Sequence, residues 1–317
     1  MKEVQLNWAL AGGIPIDSLE TRGGKPSWVL KRARQRQNLF KPDWWEFIAG
    51  REHRWARALN SSQCFAVNLF GPLKHDPHLA RRALGRLIPD RELRATDMVG
   101  VAFEYLHPGA NGRFGERGQP TQVDVYFSIE RDHRALGHVL VEVKFTEPEF
   151  GSCRGWSDSP RRPSANDHPE NCLDLAEILT APSKKCWLAR EEGRKYWEAI
   201  AEPDSTIKLG SNPTGPCPFR RGLYQIMRNR VLADSIRRHM GSDWADVAVC
   251  RHPFNRKLLD MKGDNADTVN PIEAFHAISS LGALRDWPAD NILTAIAEGE
   301  VGLSDWHSWM QHRYFSA

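Results

Sequence analysis

The chain has 317 residues, 41% hydrophobic and 26% charged, the composition of a folded globular protein, which argues against disorder. Its net charge of +3 makes no demand for a nucleic-acid partner by itself. No apolar run approaches the ~20 residues a membrane helix needs, so no membrane partner is expected.

The first residues, MKEVQLNWALAGGIPID, lack a basic segment followed by an apolar core, so no secretory leader and a cytoplasmic location are expected. Residues 1–60 are expected to form a basic and aromatic helical extension. From Lys31 to Arg57 eight Lys/Arg face three acids, interleaved with Phe40, Trp44, Trp45, Phe47 and Trp55. That pattern suits aromatic packing on the body, or a surface near a nucleic-acid backbone. Asn60-Ser61-Ser62-Gln63 caps a predicted helix over CFAVNLF, and PHLARRALGRLI predicts a second one ending before Pro89. Capping accounts for Gln63, and Asn68 reads as a buried amide with its hydrogen bonds met.

Three strands are predicted next, over 98–108, 120–129 and 138–145, joined as a meander by Gly-rich and charged loops. The stretch 146–217 carries little periodic signal and reads as an insertion, with short helical patterns at 172–179 and 190–202. A stronger helix follows over 218–240, then a strand over 244–250. Helical patterns at 270–284 and 290–299 predict a helical C-terminal extension over 256–317. The fold class expected is α/β, with a core over 61–255 of helix, three-strand meander, helix and strand.

Chemistry concentrates in Asp124, Glu142 and Lys144. Side chains alternate along a strand, so Glu142 and Lys144 share one face with Leu140. Val139, Val141, Val143 and Phe145 take the other face and suit a core. With the second and third strands adjacent, Asp124 lies within reach of Glu142. Two carboxylates and a backbone carbonyl, here Val143, suit a hard divalent cation such as Mg²⁺ or Mn²⁺. Such a cation polarises a phosphoryl oxygen and lowers the pKa of its bound water. A lysine beside them orients that water and stabilises developing negative charge. Glu104, on the first strand, is a candidate further ligand.

On these residues, in PTQVDVYF, VLVEVKFTE and GLYQIMRN, the chain resembles the PD-(D/E)xK nuclease superfamily of restriction-endonuclease-like fold over roughly 61–255. The resemblance implies that Asp124 and Glu142 hold the metal and that Lys144 is catalytic. Gln122-Val123 stand where the motif has Pro-Asp. In the RecB-like branch a glutamine follows on the next helix, and Gln225 looks like that position; Arg228 and Asn229 stand near where that branch has a tyrosine. The resemblance further implies DNA cleavage in defence or repair, and a separate ATPase, helicase or defence-system partner. The alternative function class is a non-catalytic nucleic-acid- or protein-binding module on a nuclease fold; retention of both acids and the lysine favours the enzyme.

The 218–240 helix carries six Arg against one Asp, and Arg220, Arg221 and Arg228 are candidate nucleic-acid contacts, with Arg220, Arg221, Arg230 and Arg237 expected to point outward. Gln225, Arg228 and Asn229 share one helical face. Cys153, Cys172, Cys186 and Cys217 fall within 65 residues, spaced C-x18-C-x13-C-x30-C. In a reducing compartment they are free thiols or metal ligands, and a Cys₄ Zn²⁺ site or an iron–sulphur (4Fe-4S) cluster would hold this irregular segment. Some RecB-like nucleases carry such a cluster with different spacing. No phosphate-binding GxxxxGK[ST] is present, so no motor activity is expected of this chain alone.

Overall fold

The computed structural model describes residues 2–316 except 109–113, 115, 117–119, 158–164, 212, 264–266 and 281. A five-stranded mixed sheet organises them. Its strands are β1 (Met98–Leu106), β2 (Gln122–Arg131), β3 (Arg134–Lys144), β4 (Trp244–Arg251) and β5 (Leu284–Pro288), in that spatial order. The first three pair antiparallel as the expected meander, and β3–β4 and β4–β5 pair parallel.

Helices cover both faces. On one side lie α1 (Ser62–Phe70), α2 (Pro77–Leu87) and α4 (Ala289–Ala297), packed on Val139, Val141, Val143 and Phe145. On the other lies α3 (Tyr224–Met240), the crossover from β3 to β4, packed over Leu140, Val247 and Val249. The alternation expected of β3 is therefore the one observed. Ser61 caps α1 by accepting the Cys64 N–H at 3.3 Å, and Asp76 caps α2 through the Leu79 N–H at 2.8 Å, with Pro77 in the first turn. From Gln63 to Phe70 every residue of α1 is buried, because α1 lies between the sheet and the layer built by the chain ends.

Three local expectations are corrected. Residues 1–60 are not a helical layer: after a short helix, Lys2–Trp8, the strands Leu19–Arg22 and Lys25–Leu30 form a hairpin, followed by 3₁₀ turns at Arg32–Asn38 and Pro42–Phe47. Gly23 and Gly24, at φ +56° and +75°, supply the left-handed turn that the hairpin needs. The 270–284 pattern yields only the helix Pro271–His276, and the chain then enters the fifth strand of the sheet. The sheet thus runs past residue 255, and the C-terminal segment belongs to the core. Finally, α3 begins at Tyr224, after a 3₁₀ turn over Pro218–Arg220.

The two chain ends close over α1. Arg313, fully buried, donates to the Asn38 carbonyl at 2.8 Å and to Gln5 Oε1 at 3.3 Å, with its guanidinium 4.5–5.0 Å from the ring centres of Trp8, Tyr314 and Trp309. Asn68 accepts the Phe40 N–H and donates to the Asn38 carbonyl and the Tyr314 hydroxyl, so it is the satisfied buried amide expected. No helix among the described residues is long and apolar enough to cross a membrane.

Candidate active site

The sheet ladder opens at one level. Pairing of β1 with β2 sets Phe103 opposite Val125 and Tyr105 opposite Val123, and pairing of β2 with β3 sets Val125 opposite Val141. By the same registers, Asp124 falls between Glu104 and Glu142, so three carboxylates form one row across three strands. Neither acid pair is itself a ladder pair. Glu104 adopts left-handed backbone, φ +50°, which takes it out of the ladder at a cost of about 1 kcal/mol or more. Asp124 Oδ2 accepts the Val143 N–H at 2.6 Å, so a side chain replaces the backbone partner where the strands separate.

Each acid is held by donors from a different element. Glu142 Oε1 accepts from Gln225 Nε2 at 2.6 Å and lies 2.9 Å from Lys144 Nζ; its Oε2 accepts from Asn229 Nδ2 at 2.8 Å. Gln225 also accepts from Lys144 Nζ at 2.8 Å, so one amide holds both ends of the Glu142–Lys144 pair. One helical turn separates Gln225 from Asn229, which is why α3 presents both to the same carboxylate. Glu104 Oε1 accepts from Gln63 Nε2 at 2.6 Å, and its Oε2 accepts from Gln122 Nε2 at 2.8 Å and lies 3.3 Å from His53 Nε2. Gln63 is therefore a site residue as well as the start of a helix: its Oε1 also accepts the His53 N–H.

All of these groups but Gln63, which supports Glu104 from behind, line a cleft of about 230 Å³, with Arg228 on its wall. Burial, then the charges of Glu142 and Glu104, drive the Asp124 carboxyl well above the usual carboxylate range against Lys144 and the Val143 N–H. Burial is also the largest influence on Lys144 and opposes its charge, but Glu142, Glu147 and Asp124 overcome it and hold the amine above its ordinary value. The hydrogen bond to Glu104 raises His53, burial opposing. The donor set is hard and oxygen-only, and its negative charge is incompletely balanced, which fits a divalent cation. Among the described residues, no group of three or more His, Cys, Asp or Glu side chains is arranged so that it could hold a metal ion.

The structure brings Asp124, Glu142, Val143, Lys144, Glu104, Gln225 and Arg228 to this cleft. His53, Gln122 and Asn229 join them, and Gln63 supports the site through Glu104, none of which the sequence pattern assigned; the polar Gln63 beside an apolar run was the available signal. Two arginines depart from expectation. Arg220 turns inward, donating to the Cys217 carbonyl at 2.9 Å and lying 5.3 Å over Trp156. Arg230 is buried too, paired with Asp234 at 2.7 Å and donating to the carbonyls of Ala245 and Ala283, because this face of α3 packs on the sheet. Arg237 pairs with Asp204 at the surface. Arg221 donates to the carbonyls of Lys262 and Gly263, and Arg228 to Thr121 Oγ1 at 3.1 Å and Glu116 Oε1 at 3.2 Å. Cys153, Cys172, Cys186 and Cys217 stand apart from the cleft, as free thiols in the 146–217 segment.

Comparison with curated proteins finds no match to the chain, and comparison with solved structures finds none. A family model described as "Restriction Endonuclease associating with ARP" matches residues 29–315. On that match, which spans the sheet and the cleft, the chain belongs to this restriction-endonuclease family.

Proposed function

We propose that the protein is a metal-dependent nuclease of the PD-(D/E)xK type that hydrolyses DNA phosphodiester bonds. The observation that carries this reading is the row Glu104–Asp124–Glu142 at the open end of the ladder, with Lys144 on the Glu142 strand and face. Asp124, Glu142, Glu104 and the Val143 carbonyl would hold Mg²⁺ or Mn²⁺, which when bound supplies Lewis acidity at the phosphoryl oxygen and a water of lowered pKa. Lys144 stays cationic between Glu142 and Gln225. It orients the attacking water and offsets the negative charge that builds on the phosphoryl oxygens. Gln225 restricts the lysine to one position, and Asn229 restricts the glutamate.

A second cavity, of about 900 Å³, is bordered by Pro148, Glu149, Arg154, Arg221 and Lys262. Glu147, one residue before this border, lines the cleft, so one chain segment borders both. The cations along it suit a polynucleotide backbone leading to the acids. The family description names association with ARP, and a separate protein partner is part of this proposal.

The test is cleavage of supercoiled plasmid, linear duplex, single-stranded DNA and RNA with and without Mg²⁺ or Mn²⁺, alone and with the partner. Cation-dependent cleavage of DNA, lost in Asp124→Asn and Lys144→Ala with folding retained, is the expected result. Intact DNA in every arm, with folded protein bound to it, would leave a binding module in place of a nuclease.

A further inference from the structure

The four cysteines of the 146–217 segment lie outside the catalytic cleft. Regular structure in this segment is sparse: its helices, Leu175–Thr180, Pro182–Lys185, Trp187–Arg190 and Tyr196–Ile200, are four to six residues long. Helices this short are not stable by themselves. Yet the chain brings its thiols together. Cys153 lies in the loop after β3, Cys172 in a 3₁₀ turn, Cys186 between two short helices, and Cys217 just ahead of the turn that leads into α3. Backbone bonds tie three of these points: the Cys217 N–H donates to the Cys172 carbonyl at 2.8 Å, and the Cys153 N–H to the Arg220 carbonyl at 3.2 Å.

The thiols lie close together, although no group of three or more of them is already arranged to hold a metal. Cys153, Cys186 and Cys217 line one small cavity of about 30 Å³. Cys172 Sγ lies 3.7 Å from the Gly155 carbonyl oxygen, and the N–H of that same Gly155 donates to Cys153 Sγ at 3.4 Å. Cys217 likewise accepts a backbone N–H two residues on, from Phe219. An N–H aimed at sulphur from position i+2 does little for a thiol and much for a thiolate, whose charge it stabilises. Cys64 and Cys250 offer a contrast, since both are packed singly in the main core, Cys64 donating to the Ala56 carbonyl at 3.1 Å.

We propose that Cys153, Cys172, Cys186 and Cys217 form a structural site for one Zn²⁺ ion, closed by rotation of the four side chains about their Cα–Cβ bonds. The donor set is soft and all-sulphur, which selects a thiophilic metal over Mg²⁺. Four thiolates at ~2.3 Å complete a tetrahedral shell. Four thiolates of one chain suffice for Zn²⁺, with no inorganic sulphide to be supplied. The bound ion would cross-link four points of a segment that continues directly into Pro218–Arg220 and α3, the helix that carries Gln225 and Asn229. The site is independent of the cleft chemistry and stands if that reading fails.

The test uses the full chain, purified without chelator and again under anaerobic conditions. Elemental analysis is expected to find about one zinc per chain, no iron and no absorption near 400 nm. Titration of the zinc-depleted chain with Co²⁺ is expected to produce the visible bands and intense near-ultraviolet sulphur-to-cobalt absorption of a tetrahedral thiolate site. Cys172→Ser and Cys217→Ser should lose the zinc, and Cys64→Ala and Cys250→Ala should keep it. Wild-type protein with neither zinc nor a cobalt signal would overturn the proposal, whatever the variants do. Iron and sulphide with brown colour would overturn the zinc assignment as well.

Discussion

Replacing Asp124 by Asn tests the site without any nuclease assay. Side chains in register on neighbouring strands stand about 5 Å apart. At an effective dielectric constant of about 20, each carboxylate pair at that distance repels by about 3 kcal/mol. Asp124 has such a neighbour on both sides, in Glu104 and Glu142, while Lys144 and the Val143 N–H return part of that energy. The asparagine removes the charge and keeps an oxygen to accept the Val143 N–H. A net gain of about 1–2 kcal/mol is expected in the absence of divalent cations, read as a Tm about 2–4 °C above wild type. The gain has a defined pH dependence. Asp124 is raised in the folded state, so its protonated form contributes stability that is fully present below the unfolded value and is lost as pH rises through the folded value. The variant should therefore match wild type in acid and surpass it from about pH 4 upward, where an unfolded aspartate is ionised. Adding Mg²⁺ reverses the order. At a hundred times its dissociation constant a bound cation stabilises wild type by about 2.7 kcal/mol, and the variant by much less. Differential scanning calorimetry at several pH values, with and without Mg²⁺, measures all of this. A variant less stable than wild type at neutral pH without metal would refute the reasoning, because the three acids would then be well compensated by the protein alone.

Three further outcomes follow from named contacts. Gln225→Ala frees both Lys144 and Glu142; cleavage rate is expected to fall about 10²-fold with little change in DNA affinity, checked by single-turnover kinetics beside a binding titration. Gly137→Ala places a methyl 2.1 Å from the Trp244 ring, on the strand paired beside it; a loss of about 1–3 kcal/mol in denaturant unfolding is expected, and Trp244→Leu in the same background should recover part of it. Asp234→Ala strands the buried Arg230 guanidinium and removes the acceptor of the Thr206 N–H, so a loss of about 3–5 kcal/mol by the same measurement is expected.

The cleft was legible in part, and unevenly. Glu142 and Lys144 could be placed on one face of a strand because period-2 alternation is local, and the run Val139, Val141, Val143 and Phe145 shows which face is buried. Gln225 and Asn229 could be placed on one helical face for the same reason. The partners on the far wall were not legible. Gln63 begins a helix, where capping is a sufficient local account, and its bond to Glu104 spans 41 residues. His53 sits in a segment of turns with no periodicity at all. The Glu104 backbone at φ +50° leaves no mark in a stretch that otherwise alternates as a strand.

The arginines show the same limit from the other side. Six of them on one helical segment suggest a solvated or phosphate-facing surface, yet Arg220 and Arg230 are buried. Charge counts do not say which face of a helix meets the sheet, and Asp234, one turn beyond Arg230, lets that face carry a charge inward.

Local pattern alone therefore determined the α/β class, the antiparallel meander, the capped helix before it and the acid, acid and lysine at their strand positions, since each depends on residues within a few steps of one another. Only the tertiary structure decided the fifth strand, the closure of both chain ends over α1, and the alignment of Glu104, Asp124 and Glu142 in one row. Those depend on strand register and on contacts between residues far apart in the chain, which the geometry of a folded sheet sets and no short window of residues encodes.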